Sequence, residues 1–294
     1  MRMQTPTVLV RVAAQLRKSV AGWERPECGL SAAERWVARF SDGSSVFVKA
    51  ATDELTAGWL RNESDALQTA GTRFGPEVVG WLSDDEFPVL ITQDLSDGYW
   101  PAGTGTVQWR QGDMDIVLHD LGQLSSLAGV ELSPIPEVAP HWEGLLAGDA
   151  LIGAGLCSPR WIATYGADLI SSELPAGPTV QRALVHGDVR SDNLCILPSA
   201  QARFVDWSQA GAGHPLQDLI TLLPTLRLEG GPRPSTLLAE PSGLIVRHAG
   251  AAIARALSDR NGPSWLRQVL FELATINLQW VCDVLGLAPA GRVD

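Results

Sequence analysis

The chain has 294 residues, 45% of them hydrophobic, and carries 22 lysines and arginines against 33 aspartates and glutamates, a formal net charge of -11. That length suits two lobes or two small domains with full cores, and the acidic balance argues against nucleic acid or anionic membrane as partners while favouring cationic solutes or plain solubility. Four cysteines (Cys28, Cys157, Cys195 and Cys282) form no CxxC pair, no apolar run approaches a membrane span, and Arg11 breaks Val8-Leu9-Val10 too early for a signal-peptide core, so a zinc cluster, a dithiol redox motif and a membrane segment are excluded and a cytoplasmic protein with buried free thiols is expected.

The first predicted element is a hairpin. Apolar runs at 36–40 and 45–49 flank Ser41-Asp42-Gly43-Ser44, and Asp-Gly between such runs is a strong turn signal. A helix is predicted next over 52–69, with Thr52 as its N-cap and Gly71 as its terminator. Within it Leu55, Trp59, Glu63 and Leu67 recur four apart, which sets a carboxylate in an apolar stripe. A buried carboxylate needs a partner, and Lys49 at the end of the preceding strand is the candidate; alternation puts Lys49 and Phe47 on one face. A further strand is expected at 87–92.

After Asp94-Leu95-Ser96 the patterning changes from strand-like to helical, so the lobe boundary is placed near 94–97, giving lobes of 1–95 and 96–294. Long helices are predicted over 116–128 and 265–285, with surface loops at 133–140 and 229–241. Between them, apolar runs at 194–197 and 202–205 flank a four-residue turn signal and predict a second hairpin. Asn193 precedes its first strand and Asp206 follows its second, so antiparallel pairing brings an amide oxygen and a carboxylate together, with Asp188 in the loop before. Hard oxygen donors at that spacing suit Mg²⁺.

These residues carry a resemblance. His186-Gly187-Asp188 followed by Asn193 resembles the catalytic loop of protein kinases and, more closely, of the aminoglycoside phosphotransferase family of small-molecule kinases. Val205-Asp206-Trp207 is similar to their metal-binding segment, and Gly213-His214-Pro215-Leu216-Gln217-Asp218-Leu219 to the segment that follows it, with His214 in place of the usual aspartate. The resemblance implies an α+β, bilobal protein-kinase-like fold with a small β-rich N-lobe and a larger, mainly helical C-lobe. It implies ATP or GTP as phosphate donor, Mg²⁺ as cofactor and a hydroxyl on a small molecule as acceptor. In that reading Asp188 orients the acceptor and takes its proton, Arg190 neutralises charge on the transferring group, and Asn193 and Asp206 hold the metal. His186 and Asp218 act as structural support, and Lys49 paired with Glu63 positions the α- and β-phosphates.

The loop Gly29-Leu30-Ser31-Ala32-Ala33, with one glycine, is the expected phosphate cover and brings Ser31 to the nucleotide; Gln93, Asp94 and Leu95 resemble the linker that contacts the base. The acceptor is expected to be amine-bearing, of aminoglycoside type, with Asp192, Glu272 and Asp283 as cation binders and Trp207, Trp265 or Trp280 as stacking surfaces. A metabolic kinase of an amino sugar or a choline-like alcohol, and a nucleotide-binding pseudokinase without turnover, are the alternatives. Oligomeric state is not set by any motif.

Overall fold

The computed structural model describes residues 4–26, 32–83, 87–103, 106–128, 131–173, 182–239, 243–259 and 263–290. The chain divides into two units, each assembled from separate stretches: 1–135 with 181–215, and 136–180 with 216–294. The first is rich in strands, and the second is helical throughout its described residues.

In the first unit, helix α1 (Thr7–Leu16) precedes strands β1 (Val20–Glu24), β2 (Glu34–Phe40) and β3 (Ser45–Ala50), helix α2 (Glu54–Phe74), and strands β4 (Val78–Leu82) and β5 (Val89–Gln93). The five strands form one antiparallel sheet in the order β1-β2-β3-β5-β4. Alternation gives the sheet two different faces. Trp36, Ala38, Phe40, Val46, Val48 and Ile91 point one way and bury against Leu9 and Val12 of α1. Arg35, Val37, Phe47 and Lys49 point the other way and line a cavity.

The hairpin at 36–49 forms as expected, and β2 begins two residues earlier at Glu34. The helix differs at both ends. Asp53, not Thr52, is the N-cap: its carboxylate accepts from the Thr56 N–H at 2.7 Å, and the Thr56 hydroxyl accepts from the Asp53 N–H in return, a capping box. Gly71 takes a left-handed φ of 65° and kinks the helix without ending it. The apolar stripe also shifts. Steps of four drift by ~40° each around a helix, so Leu55 falls off the packed face and is 62% exposed. The buried line runs instead through Thr56, Leu60, Glu63, Leu67 and Ala70, alternating steps of four and three.

The unit is completed by α3 (Asp113–Leu124) and four short strands, β6 (Ala183–Val185), β7 (Leu194–Ile196), β8 (Ala202–Phe204) and β9 (Gly211–Gly213). β7 and β8 are the expected second hairpin, with Leu194 opposite Phe204, and β6 pairs with β9. Asp120 of α3 ties the pieces together from a fully buried position. One carboxylate oxygen accepts from the Ala202 N–H of β8 at 2.8 Å, and the other accepts from Arg73 near the end of α2 at 2.5 Å. Arg203 donates to the Arg73 carbonyl at 2.9 Å.

The second unit contains α4 (Trp142–Leu146), α5 (Ala150–Gly153), α6 (Pro159–Ser172), α7 (Gln217–Leu228), α8 (Pro234–Leu237), α9 (Gly243–Ser258) and α10 (Ser264–Leu285). Its core holds Trp142, Leu169, Val246, Ile253, Trp280 and Val281. The buried Glu173 carboxylate is satisfied by the N–H groups of His141 and Trp142, at 2.6 and 3.0 Å, and so caps α4. The loop expected at 229–241 includes the one-turn helix α8. Among the described residues no helix is long and apolar enough to cross a membrane.

Candidate active site

The cavity in the first unit has a volume of about 400 Å³, and its lining includes Phe47, Lys49, Glu63, Gln93, Asp94, Leu95, Asn193 and Asp206. Three elements deliver its charged centre. Lys49 comes from the end of β3, Glu63 from the third turn of α2, and Asp206 from the turn after β8. The Lys49 ammonium donates to both Glu63 oxygens, at 2.7 and 2.8 Å, and to Asp206 Oδ1 at 3.2 Å. Burial by itself depresses the Lys49 pKa, but the two carboxylates outweigh it and hold the ammonium above its ordinary value. Burial likewise favours the neutral form of Asp206, and Lys49, followed by Arg35 and His186, overrides this and holds the carboxyl below the usual range.

Asp206 has a left-handed backbone, φ 64° and ψ 60°, a conformation that a short polar side chain tolerates better than most. The turn that follows is fastened to α2 by Asn62, whose amide nitrogen donates to the Ser208 and Ala210 carbonyls at 3.0 and 2.9 Å. Asn62 adjoins Glu63 in sequence, so one turn of α2 meets both Lys49 and the Asp206 segment.

The loop before β7 is built around His186 and Gly187. Gly187 has φ 82°, and a Cβ there would overlap the Gln209 carbonyl oxygen, so both conformation and space require glycine. His186 is fully buried, with its ring 4.5 Å from that of Trp207. Its Nδ1 accepts from the Asp188 N–H at 3.3 Å, which leaves Nε2 as the protonated nitrogen, donating to the Val205 carbonyl at 3.0 Å. Burial lowers the His186 pKa to about 4, so the ring is a neutral brace between the Asp188 loop and the strand that ends at Asp206.

Asn193 donates from its amide nitrogen to the Asp188 carbonyl and to Asp188 Oδ2, both at 2.9 Å. Asp188 is partly buried, and desolvation raises its pKa against the lowering effect of Arg190; Asp192 and Asp206 raise it further. Arg190 lies 3.4 Å from Asp188 Oδ2 and, through Nε, 3.2 Å from Asp192 Oδ1, with both the guanidinium and Asp192 half exposed.

The donor set can be tested against a magnesium ion. With its nitrogen committed to Asp188, Asn193 has its amide oxygen as the remaining donor, and Asp206 adds a carboxylate. Among the described residues no group of three or more His, Cys, Asp or Glu side chains is arranged for a metal. Two hard oxygen ligands completed by water and phosphate fit Mg²⁺, which keeps much of its hydration, and do not fit zinc.

The structure brings Lys49, Glu63 and Asp206 into one group and Asp188, Arg190, Asp192 and Asn193 into another. Gln93, Asp94 and Leu95 lie at the end of β5 on the cavity wall. Ser31 and the rest of 27–31 lie outside the described residues. The expectation that Trp207 and Trp280 offer stacking surfaces does not agree with their positions. Both are fully buried, and their indole N–H groups are spent on the carbonyls of Phe204 and Leu238, at 2.7 and 3.1 Å. In the second unit, Asp218 is buried in the first turn of α7. Glu272 accepts from Gln268 at 3.0 Å and Asp283 from Ser235 at 2.6 Å, both on α10, and Trp265 is 65% exposed.

Two residues went unread, Asn62 against the turn after Asp206 and Arg35 on the cavity wall. Arg35 was legible, because it alternates with Val37 as Phe47 does with Lys49; Asn62 was not, because nothing local marks which amide will meet a distant turn.

A search of curated proteins found no match. The model of the phosphotransferase enzyme family matches residues 138–265, a stretch that includes His186, Asp188, Asn193, Asp206 and Asp218. Among solved structures, a macrolide 2'-phosphotransferase from Brachybacterium faecium aligns over 92% of this chain and 98% of its own, with TM-score 0.55 and 17% identity. A spectinomycin phosphotransferase in complex with ADP and spectinomycin aligns over 93% and 94%, with TM-score 0.52 and 11% identity. A protein described as a fructosamine-3-kinase from Haemophilus somnus aligns over 91% and 96%, with TM-score 0.53 and 16% identity. The resemblance read from His186-Gly187-Asp188 and Val205-Asp206-Trp207 therefore holds: residues 138–265 match the phosphotransferase enzyme family, and the chain has the α+β, protein-kinase-like fold of small-molecule phosphotransferases.

Proposed function

We propose that this protein transfers the γ-phosphate of ATP or GTP to a hydroxyl of a small molecule. The observation that carries the reading is the convergence of Lys49, Glu63, Asp206 and Asn193 from four separate places in the sequence around one cavity, with Asp188 hydrogen-bonded to Asn193. The nucleotide is bound by residues within 1–95, its base against the edge at Gln93, Asp94 and Leu95 and its phosphates toward Lys49; residues within 96–294 supply the catalytic loop and hold the acceptor. Asn193 and Asp206 would hold magnesium, which offsets charge on the phosphates when bound. Asp188 orients the acceptor hydroxyl and accepts its proton, a role helped by the raised proton affinity that desolvation gives it. Arg190, beside Asp188, faces the transferring group, and His186 supports the loop.

The acceptor is an amine-bearing compound of the aminoglycoside type. Asp192 beside the catalytic carboxylate and the net charge of -11 support that reading. A nucleotide donor suits a cytoplasmic enzyme, because ATP and GTP are plentiful there. A nucleotide-consumption screen tests the proposal, with ATP and GTP run in parallel against aminoglycosides, macrolides, amino sugars and choline-like alcohols. Turnover with an aminoglycoside is expected. Turnover only with an amino sugar or an alcohol would move the protein to metabolism, and nucleotide binding without turnover on any acceptor would make it a binding module.

A further inference from the structure

Arg35 is a cationic cavity residue for which the proposed phosphotransfer has no use so far. It stands on β2 directly opposite Lys49 in the antiparallel register, so the two cationic side chains leave the same face of the sheet as a cross-strand pair. It is 7% exposed and lines the same cavity as Lys49, Asn193 and Asp206. Its Nη1 donates to the Ala33 carbonyl at 3.1 Å, which anchors the guanidinium at the foot of the segment that leads into β2.

Like charges opposite one another on a sheet are destabilising, and burying a guanidinium is costly. Glu63 and Asp206 pair with Lys49. A nucleoside triphosphate would bring several more negative charges to this face than Lys49 and a bound magnesium ion offset. A guanidinium supplies donors in a planar fork that matches phosphate oxygens.

We infer that Arg35 is a second phosphate-binding cation, gripping the polyphosphate of a nucleoside di- or triphosphate from the strand opposite Lys49. The inference rests on the phosphotransferase reading, and affinity measurements separate the two. Dissociation constants are measured by calorimetry in the presence of magnesium for ATP, ADP, AMP and adenosine, with the guanosine series in parallel, on the wild type, Arg35→Gln and Arg35→Lys. Losing a charge-assisted, two-pronged contact weakens binding by roughly 10- to 100-fold. Arg35→Gln is expected to lose that much for ATP and ADP while adenosine affinity stays within about twofold, and Arg35→Lys to lose less, because it keeps the charge without the fork. If either variant, shown folded by circular dichroism, keeps the wild-type ratio of triphosphate to nucleoside affinity, Arg35 is structural and the inference is wrong. If the wild type binds no nucleotide, the phosphotransferase reading itself is wrong.

Discussion

Lys49, Glu63 and Asp206 are joined by hydrogen bonds across 14 and 157 residues of sequence, two of the three side chains nearly out of water. Asp188, Arg190 and Asp192 lie within five residues of one loop, and from a third to just over half of each side chain remains in solvent. The two clusters carry the same types of charge and differ in what holds them. In the first, each group is fixed by partners from other elements, and mutual attraction favours the charged forms of Lys49 and Asp206. In the second, the contacts are longer and solvated, and such ion pairs contribute little to stability. The proposed phosphotransfer would use both arrangements, a rigid set of charges for the phosphates and a loosely held carboxylate for the acceptor.

The comparison predicts that a change in the open cluster costs rate, and a change in the buried one costs stability. The largest effect expected is that of Asp188→Asn, which lowers kcat by roughly 10²- to 10⁴-fold while the melting temperature and nucleotide affinity stay near wild type. Steady-state kinetics with the acceptor found in the screen, beside a calorimetric titration, measures both. A variant that turns over normally would remove Asp188 from the chemistry. Lys49→Met should instead unfold at lower urea, because Glu63 is left buried without its cation; breaking a buried pair costs about 3–5 kcal/mol. Equilibrium unfolding gives the number, and a loss well below this range would mean that the pair is looser than its geometry.

His186 extends the buried cluster to pH. Burial lowers its pKa from 6.5 to about 4. The unfolded chain takes up a proton below pH 6.5 that the folded protein refuses. Stability is therefore full above pH 6.5, falls as the pH drops toward about 4, and levels off below. The integrated effect is about 3 kcal/mol. Urea unfolding of the wild type and His186→Gln at pH 7 and pH 5 tests this. The wild type should lose more stability over that interval, and parallel losses in the two proteins would place the pH dependence elsewhere.

What the sequence by itself determined is local. Asp42-Gly43 between two alternating runs makes the β2–β3 hairpin, Gly187 makes the turn that aims Asp188, and the β7–β8 hairpin brings Asn193 and Asp206 together, because strand alternation and turn chemistry depend on neighbours in the chain. The kinase-like fold was legible through those motifs. Tertiary structure alone decided the rest. It drew each unit from two separate stretches, moved the buried stripe of α2 off Leu55, and placed Trp207 and Trp280 in cores where they meet no solute. It also turned Asn62 toward Ser208 and Ala210 and set Arg35 against Lys49. Each of these outcomes turns on which surfaces pack together over long separations. A residue's type limits what it can do there, but only the packed neighbours decide whether an indole is a platform or a core, and whether an arginine meets water or a cavity.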